Sequence, residues 1–169
     1  MSMRVLGIDP GSRITGYGVV DGLGGTAGHV DNGIISLPPR QELPARLALL
    51  ATRLDEVIER FSPAAASVET VFAHKNVRSA LVLAHARGVI FAVLGKHGIP
   101  VFEYAPAVVK TTVTGYGRAE KAQMQKMIRL LLNLREDASS DASDALAVAI
   151  CHVRSAKMAN LKMTHMVPS

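Results

Sequence analysis

Short apolar segments separated by turn residues predict that the chain begins with three β-strands. Residues 3–9, MRVLGID, are mostly apolar and end in a carboxylate, and Pro10-Gly11 follows them as a turn signal. Residues 14–20 alternate between large and small side chains, and a glycine-rich stretch then leads to a third apolar segment at residues 29–37. Because these segments lie close together along the chain, we expect them to pair as an antiparallel meander.

A change of apolar spacing from two residues to three or four marks the first helices. Over residues 41–61 the apolar positions step by four and three in turn, which predicts an amphipathic helix that ends at Ser62-Pro63. Residues 64–72 then predict a fourth strand. A second helix is predicted over about residues 76–96, and because it is apolar on most faces we expect it to contact both the core and a subunit interface.

The remaining segments complete an α/β pattern. Residues 99–105 predict a fifth strand, Pro106 opens a short helix, another helix covers about residues 119–132, and the last begins near Asp141. Three antiparallel strands followed by strand–helix–strand units predict a mixed five-stranded sheet with helices on both faces. We expect one domain over residues 1–155 and a flexible basic tail over residues 156–169, where apolar periodicity is lost.

Composition indicates a globular protein and favours an anionic partner. Of the 169 residues, 49% are hydrophobic and 20% are charged, far from the composition of a disordered chain. The net charge of +5 favours a polyanion such as nucleic acid, although many basic proteins bind none. A single cysteine, no leader pattern and no unbroken apolar run of about 18 residues together predict a cytoplasmic protein.

Two aspartates open the last predicted helix, in the stretch SSDASDALAVAI. Asp141 and Asp144 are three residues apart, so on a helix they share one face and can converge on a common ligand. The alternative is ordinary capping, because Ser140 or Asp141 suits an N-cap and an acid in the first turn complements the helix dipole. Taken alone, the two aspartates favour capping.

Two further carboxylates end predicted strands. Asp9 closes the first strand and Glu69 closes the apolar run of the fourth, and α/β proteins commonly bind ligands at the carboxyl edge of the sheet. An Asx turn at Asp9 and simple solvation of Glu69 are the alternatives. If the fourth strand lies beside the first and the last helix crosses the sheet, all four carboxylates meet and their repulsion calls for a cation. Oxygen ligands select Mg²⁺ or Mn²⁺, and two such ions can support phosphodiester hydrolysis without a Ser or His nucleophile.

Five stretches in the same order carry a resemblance to a known family. They are GIDPGSRITGYGVV, VETVFAHKNVRSAL, HARGVI, YAPAVVKTTVTGYGRAEKAQMQ and SDASDALAVAICH. Together they resemble RuvC, the bacterial crossover junction endodeoxyribonucleases, over about residues 3–153. The resemblance implies a ribonuclease-H-like fold, a homodimer, and Mg²⁺-dependent resolution of four-way Holliday junctions in recombination and repair, with RuvA and RuvB as partners.

The resemblance also implies roles for individual residues. By motif match, the four metal-binding and catalytic positions are Asp9, Glu69, Asp141 and Asp144, which would hold two Mg²⁺ ions, with Mn²⁺ as a substitute. The matched positions that are expected to contact DNA are Phe72, His74, Lys75, Asn76, Arg78, Lys110, Tyr116, Arg118 and Lys121.

The DNA-contact positions differ in what they would do. Phe72 could stack on an unpaired base at the crossover, contributing about 1–3 kcal/mol, or could be a strand-end core residue. Lys110 and Lys121 would meet phosphate near the site, although without the resemblance both are ordinary solvated lysines. Tyr116 and His74 depart from the family's usual residues, so they could alter sequence preference.

Two other functions remain open from the sequence. A junction-binding module that has lost cleavage would keep the fold and the basic residues. A lobe of an actin-like ATPase would share the strand topology and the Gly-Ile-Asp-x-Gly opening, but such proteins need two lobes, and the second Asp-x-Gly, at residues 31–33, is predicted to be a hairpin turn. Cleavage of a synthetic junction distinguishes these alternatives from a nuclease.

Overall fold

The computed structural model describes residues 2–70 and 76–165, and it describes side chains as far as residue 157. The elements in chain order are β1 (Met3–Asp9), β2 (Ile14–Leu23), β3 (Thr26–Ser36), α1 (Leu43–Phe61), β4 (Ala65–Glu69), α2 (Val77–Lys96), β5 (Val101–Tyr104), α3 (Pro106–Thr114), α4 (Lys121–Leu132) and α5 (Ser140–His165). The predicted elements are all present, with ends that differ by a few residues.

The five strands form one mixed sheet in the order β3-β2-β1-β4-β5. The β1–β2 and β2–β3 pairs are antiparallel, whereas β4 runs parallel to both β1 and β5. This topology confirms the predicted mixed sheet. Since Ile8 pairs with Val68, the next residues, Asp9 and Glu69, end their strands at the same edge of the sheet.

Helices cover both faces of the sheet. On one face α1 and α2 pack against side chains such as Leu6 and Val68, and on the other α3, α4 and α5 pack against side chains such as Val5 and Val20. Each face thus has its own hydrophobic core, as a sheet buried on both sides requires.

The connection between β2 and β3 lies in the predicted glycine-rich stretch, but the hairpin turn assigned to residues 31–33 is absent. Residues 31–33 lie inside β3, with Asp31 paired to Val19, so the hairpin-turn assignment at this Asp-x-Gly is wrong. The turn is formed by Gly24 and Gly25 of the glycine-rich stretch, whose φ values of 59° and 85° are left-handed conformations that glycine adopts without strain. As a result β2 and β3 are longer than predicted.

Two further expectations need correction or restriction. Helix α5 continues to His165, so the first ten residues of the predicted tail are helical, while the flexibility of residues 156–169 remains a prediction. Among the described residues, α2 is long and apolar enough to cross a membrane by length and composition, with a mean hydropathy of 1.6, although Arg87 and Gly88 interrupt its apolar run as expected. Its side chains Ile90 and Leu94 are nevertheless buried against the sheet core, as in the core helix of a globular protein.

Candidate active site

Helix α5 lies unusually close to the sheet because glycines face it. A Cβ atom added at Gly16 would lie 2.0 Å from the carbonyl oxygen of Asp141, and one added at Gly7 would lie 2.0 Å from the carbonyl oxygen of Ala145. Gly18 and Gly22 of β2 make similar approaches to side chains of α5. The backbone of the first turns of α5 is therefore held against β1 and β2.

This packing brings the four predicted acids to one region. Asp9 ends β1 and Glu69 ends β4, while Asp141 and Asp144 lie in the first turns of α5 on one face. Helix α5 begins at Ser140, so Asp141 lies inside the first turn and not at the cap position. All four carboxylates are half-buried at the edge where the parallel strands end.

The acids act on one another electrostatically. Burial raises the pKa of Asp9 from 3.8 to about 7, and the negative charges of Asp144, Glu69 and Asp141 contribute, in that order, while Lys121 opposes the rise. Burial is also the main cause of the raised pKa values of Glu69 and Asp144, and Asp144 is a further cause at Glu69. The site therefore concentrates negative charge that its own cations do not fully compensate.

Two lysines partly neutralise the acids. Lys121 Nζ lies 3.4 Å from Asp144 Oδ2, and Lys110 opposes the pKa rise of both Glu69 and Asp144. Both lysines line a pocket of about 200 Å³ together with Glu69 and Asp144. The two lysines for which the resemblance implies phosphate contacts thus lie beside the acids.

The donor set suits a hard divalent cation, but the side chains are not arranged around one. Among residues 2–70 and 76–157, no three acidic, histidine or cysteine side chains are gathered closely enough to hold a metal ion as they stand. The available ligand atoms are carboxylate oxygens, which Mg²⁺ and Mn²⁺ prefer, and a cation between them would remove the repulsion that raises the pKa of Asp9. The four acids therefore fit a hard divalent cation in their ligand type and charge, and binding one would require their side chains to rearrange.

The other predicted site residues differ in their surroundings. Asn76 caps α2, because its side chain accepts hydrogen bonds from the backbone N–H groups of Arg78 and Ser79. Arg78, Tyr116 and Arg118 are exposed, Tyr116 and Arg118 in the connection between α3 and α4. The predicted DNA contacts Phe72, His74 and Lys75 lie outside the described residues.

Two arginines at the edges of the site have no role in the sequence-based prediction. Arg87 of α2 donates a hydrogen bond to the carbonyl oxygen of Glu69, at 2.6 Å, and Arg46 of α1 donates to the carbonyl oxygen of Ser12 in the connection after β1. The signals in the sequence are that Arg87 is charged in the middle of an otherwise apolar helix and that it belongs to the matched stretch HARGVI. Neither signal indicates what Arg87 binds, because a backbone carbonyl supplies no partner side chain that could be found in the sequence.

The order of the strands, the helix that crosses the sheet and the acids at its edge define a nuclease of the ribonuclease-H-like fold. The comparisons with known proteins identify the family. The family model described as "Crossover junction endodeoxyribonuclease RuvC" matches residues 5–152. The chain belongs to the RuvC family.

Similar proteins cover almost the whole chain. The RuvC of Trichlorobacter lovleyi is 52% identical over 153 residues, which are 90% of this chain and 86% of that protein. The RuvC of Geobacter sulfurreducens is 51% identical over 156 residues, 92% of this chain and 95% of that protein. A solved structure of Thermus thermophilus RuvC in complex with a Holliday junction substrate is 33% identical, with a TM-score of 0.88 over 93% of this chain and 96% of that chain. Nucleases of this family depend on metal ions.

Proposed function

We propose that this protein is a structure-specific endonuclease that resolves four-way Holliday junctions by paired symmetric nicks, in cytoplasmic DNA recombination and repair. The observation that carries the proposal is the convergence of acids from β1, β4 and α5, which together with burial raise the pKa of Asp9 to about 7. The similarity to a RuvC that was solved with a Holliday junction substrate supports the choice of DNA.

We propose that Asp9, Glu69, Asp141 and Asp144 hold two Mg²⁺ ions, with Mn²⁺ as a substitute. When bound, such ions activate water and stabilise the leaving oxygen of a phosphodiester. Lys121 and Lys110 lie where they can contact a phosphate beside the acids, and Lys121 would exchange its ion pair with Asp144 for that phosphate.

Further DNA contacts are proposed along the edge of the site. Arg78, Tyr116 and Arg118 are exposed and can reach a nucleic acid backbone or base. Phe72, His74, Lys75 and Asn76 belong to the segment between β4 and α2, and we propose that Phe72 stacks on a base there. The cap that Asn76 provides for α2 is compatible with a backbone contact nearby.

We propose that two copies assemble through α2. Val77 and Leu81 are 77% and 57% exposed, and the small residues Ala84, Gly88 and Ala92 continue the same exposed face at helical spacing. Small and apolar side chains at this spacing allow two helices to pack closely. A two-fold pair would present two identical sites to a junction with two-fold character, and the expected partners of that complex are RuvA and RuvB.

Leu81→Glu is expected to weaken this dimer strongly without unfolding the protein. A charge on the exposed face of α2 would be buried in the interface, at a cost of several kcal/mol, but is solvated in the monomer. Sedimentation equilibrium measures the dimer constant. The matched control is Leu130→Glu, since Leu130 of α4 is 64% exposed and lies away from α2. Equal dimer constants for the two variants would contradict the α2 interface.

The decisive experiment is cleavage of fixed and mobile synthetic four-way junctions in Mg²⁺ with mapped nick positions. We expect paired nicks at symmetric positions, ligatable products, and binding that weakens steeply with added salt. Junction binding without nicks would indicate a silent binding module, and hydrolysis of ATP would indicate the ATPase alternative.

A further inference from the structure

The backbone of Glu69 is bound by Arg87, whose side chain lies on the face of the sheet opposite to the Glu69 carboxylate. Its carboxylate is on the α5 face with the other acids, whereas Val68 and Ala66 of the same strand face α1 and α2. Arg87 approaches from the α2 face, and its Nη1 donates a hydrogen bond of 2.6 Å to the Glu69 carbonyl oxygen.

The geometry of Arg87 is restrained at three points. Besides the carbonyl of Glu69, its guanidinium forms an ion pair with the carboxylate of Glu103 on β5 and lies 5.1 Å from the ring centroid of Phe91. The Arg87 side chain is 15% exposed, so the pair is largely shielded on the arginine side. One planar group thus joins α2 to the ends of two neighbouring strands, a geometry that a guanidinium supports and an ammonium does not.

This hydrogen bond lies where the β-ladder stops. The pairing of β1 with β4 ends at Ile8 and Val68, and β1 continues into Asp9 and Pro10. Proline has no N–H to donate, so β1 offers no backbone donor beyond Asp9 at the level where β4 ends. Arg87 supplies a donor to the last residue of β4 at this point.

Arg87 acts on the backbone of Glu69 and not on its carboxylate. The groups that perturb the pKa of the Glu69 carboxyl, besides burial, are Asp144 and Lys110, both on the α5 face. The hydrogen bond of Arg87 to the carbonyl oxygen fixes the backbone from which that carboxylate projects.

We infer that Arg87 is a positioning residue: by holding the backbone of Glu69 at the end of β4, it sets the place of that carboxylate relative to Asp9 and so the affinity for the catalytic metal. This inference rests on the proposed role of Glu69 as a metal ligand. It also links the site to α2, the helix through which the second copy is proposed to bind.

The test compares Arg87→Met, which keeps the length of the side chain but removes its donors, with Arg87→Lys, which keeps the charge and one donor centre. We expect Arg87→Met to raise the Mn²⁺ concentration for half-maximal single-turnover nicking by about 10-fold or more, the usual effect of losing a support for a metal ligand. Mn²⁺ binding measured by calorimetry without DNA should weaken to a similar extent. Junction affinity in EDTA should change less than about twofold, because no DNA contact is lost.

Two further variants separate positioning from general damage to the fold. Arg53→Met removes an exposed arginine of α1, whose ion pair with Glu56 is 2.9 Å long, and should leave Mn²⁺ binding unchanged. Glu103→Gln keeps the carbonyl contact of Arg87 and should have a smaller effect than Arg87→Met. If Arg87→Met does not fold, Arg87→Lys carries the test, with weaker Mn²⁺ binding expected and unchanged Mn²⁺ binding overturning the inference.

The outcomes distinguish this inference from the proposed function. If the unaltered protein nicks junctions, Asp9→Asn does not, and Arg87→Met has unaltered Mn²⁺ binding and Mn²⁺ dependence, then the role of Arg87 is wrong and the nuclease stands. If the unaltered protein does not nick junctions, the proposed function falls, and the calorimetric comparison still decides whether Arg87 supports the metal site.

Discussion

Asp9→Asn is expected to abolish junction cleavage and at the same time to stabilise the metal-free protein at neutral pH. Burial and the charges of three other acids raise the pKa of Asp9 to about 7, so its ionised form is unfavourable in the folded state. The amide removes that charge with little change of shape, and it also removes a proposed metal ligand. We expect cleavage to fall by at least about 100-fold, with junction binding retained.

The sign of the pH dependence follows from the raised pKa. Between pH 4 and pH 7 the folded protein holds a proton on Asp9 that the unfolded chain releases, because the ordinary pKa is 3.8 and the folded one is about 7. The contribution of Asp9 to the free energy of unfolding therefore has its maximum value below pH 4 and is lost as the pH rises from 4 to 7. At pH 8 we expect Asp9→Asn to be more stable than the unaltered protein by about 2 kcal/mol. This is roughly half of the value that the pKa shift of Asp9 would give for an isolated group, because neighbouring acids titrate as a coupled set.

Urea unfolding in EDTA at pH 4.5 and pH 8 measures the difference in free energy of unfolding between the two proteins. A Mn²⁺ titration then measures how much bound metal stabilises each of them. The unaltered protein should gain stability when Mn²⁺ is added and Asp9→Asn should gain much less. Asp137→Asn is a suitable control, since Asp137 is 57% exposed, forms an ion pair with Arg129 of α4 and is not among the groups that raise the pKa of Asp9. Undiminished cleavage by Asp9→Asn would exclude Asp9 as a metal ligand.

Gly16→Ala is expected to damage both the stability of the protein and its candidate active site. The new Cβ would lie 2.0 Å from the Asp141 carbonyl oxygen and 2.3 Å from its carbonyl carbon, contacts that backbone atoms cannot relieve without moving α5. We expect a loss of about 3 kcal/mol or more in the free energy of unfolding, at the upper end for overpacking. Cleavage should fall as well, because displacing α5 displaces Asp141 and Asp144.

Gly28→Ala is the matched control for this change. Gly28 is also in the β2–β3 hairpin, but a Cβ there would meet nothing closer than 3.7 Å. We expect a change in stability of less than about 1 kcal/mol, in line with replacing a strand glycine by alanine. Chemical unfolding and single-turnover nicking of both variants check the pair. Similar losses of stability and nicking in both variants would contradict the prediction. They would show that the hairpin is sensitive to any added side chain and not specifically to the packing of α5.

Much of the fold follows from local patterns. The step of four and three residues over α1 and the apolar run that ends at Glu69 are visible without any knowledge of the rest of the chain. The glycine-rich stretch marks the connection between β2 and β3 correctly, but the hairpin turn assigned to Asp-Asn-Gly at residues 31–33 is wrong. The pairing of Asp31 with Val19 overrides that signal, and Gly24 and Gly25 take the left-handed conformations.

The chemical identity of the site is a property of the sequence, but its assembly is not. Asp9, Glu69, Asp141 and Asp144 are recognisable because their residue types and the surrounding motifs are local and in order. Their mutual repulsion and the raised pKa of Asp9 exist only once α5 is seated on β1 and β2.

What the sequence by itself determined is therefore the set of elements, their pattern of strands and helices, and the acids that could bind a metal. What only the tertiary structure decided is the close packing of α5 against Gly7 and Gly16 and the hydrogen bond from Arg87 to the carbonyl oxygen of Glu69. The physical reason is that these contacts join residues far apart along the chain. The sequence does not distinguish a glycine that forms a turn from a glycine that lets a helix pack closely against a strand. An arginine that binds a backbone carbonyl needs no partner side chain, so no second residue type in the sequence points to the contact.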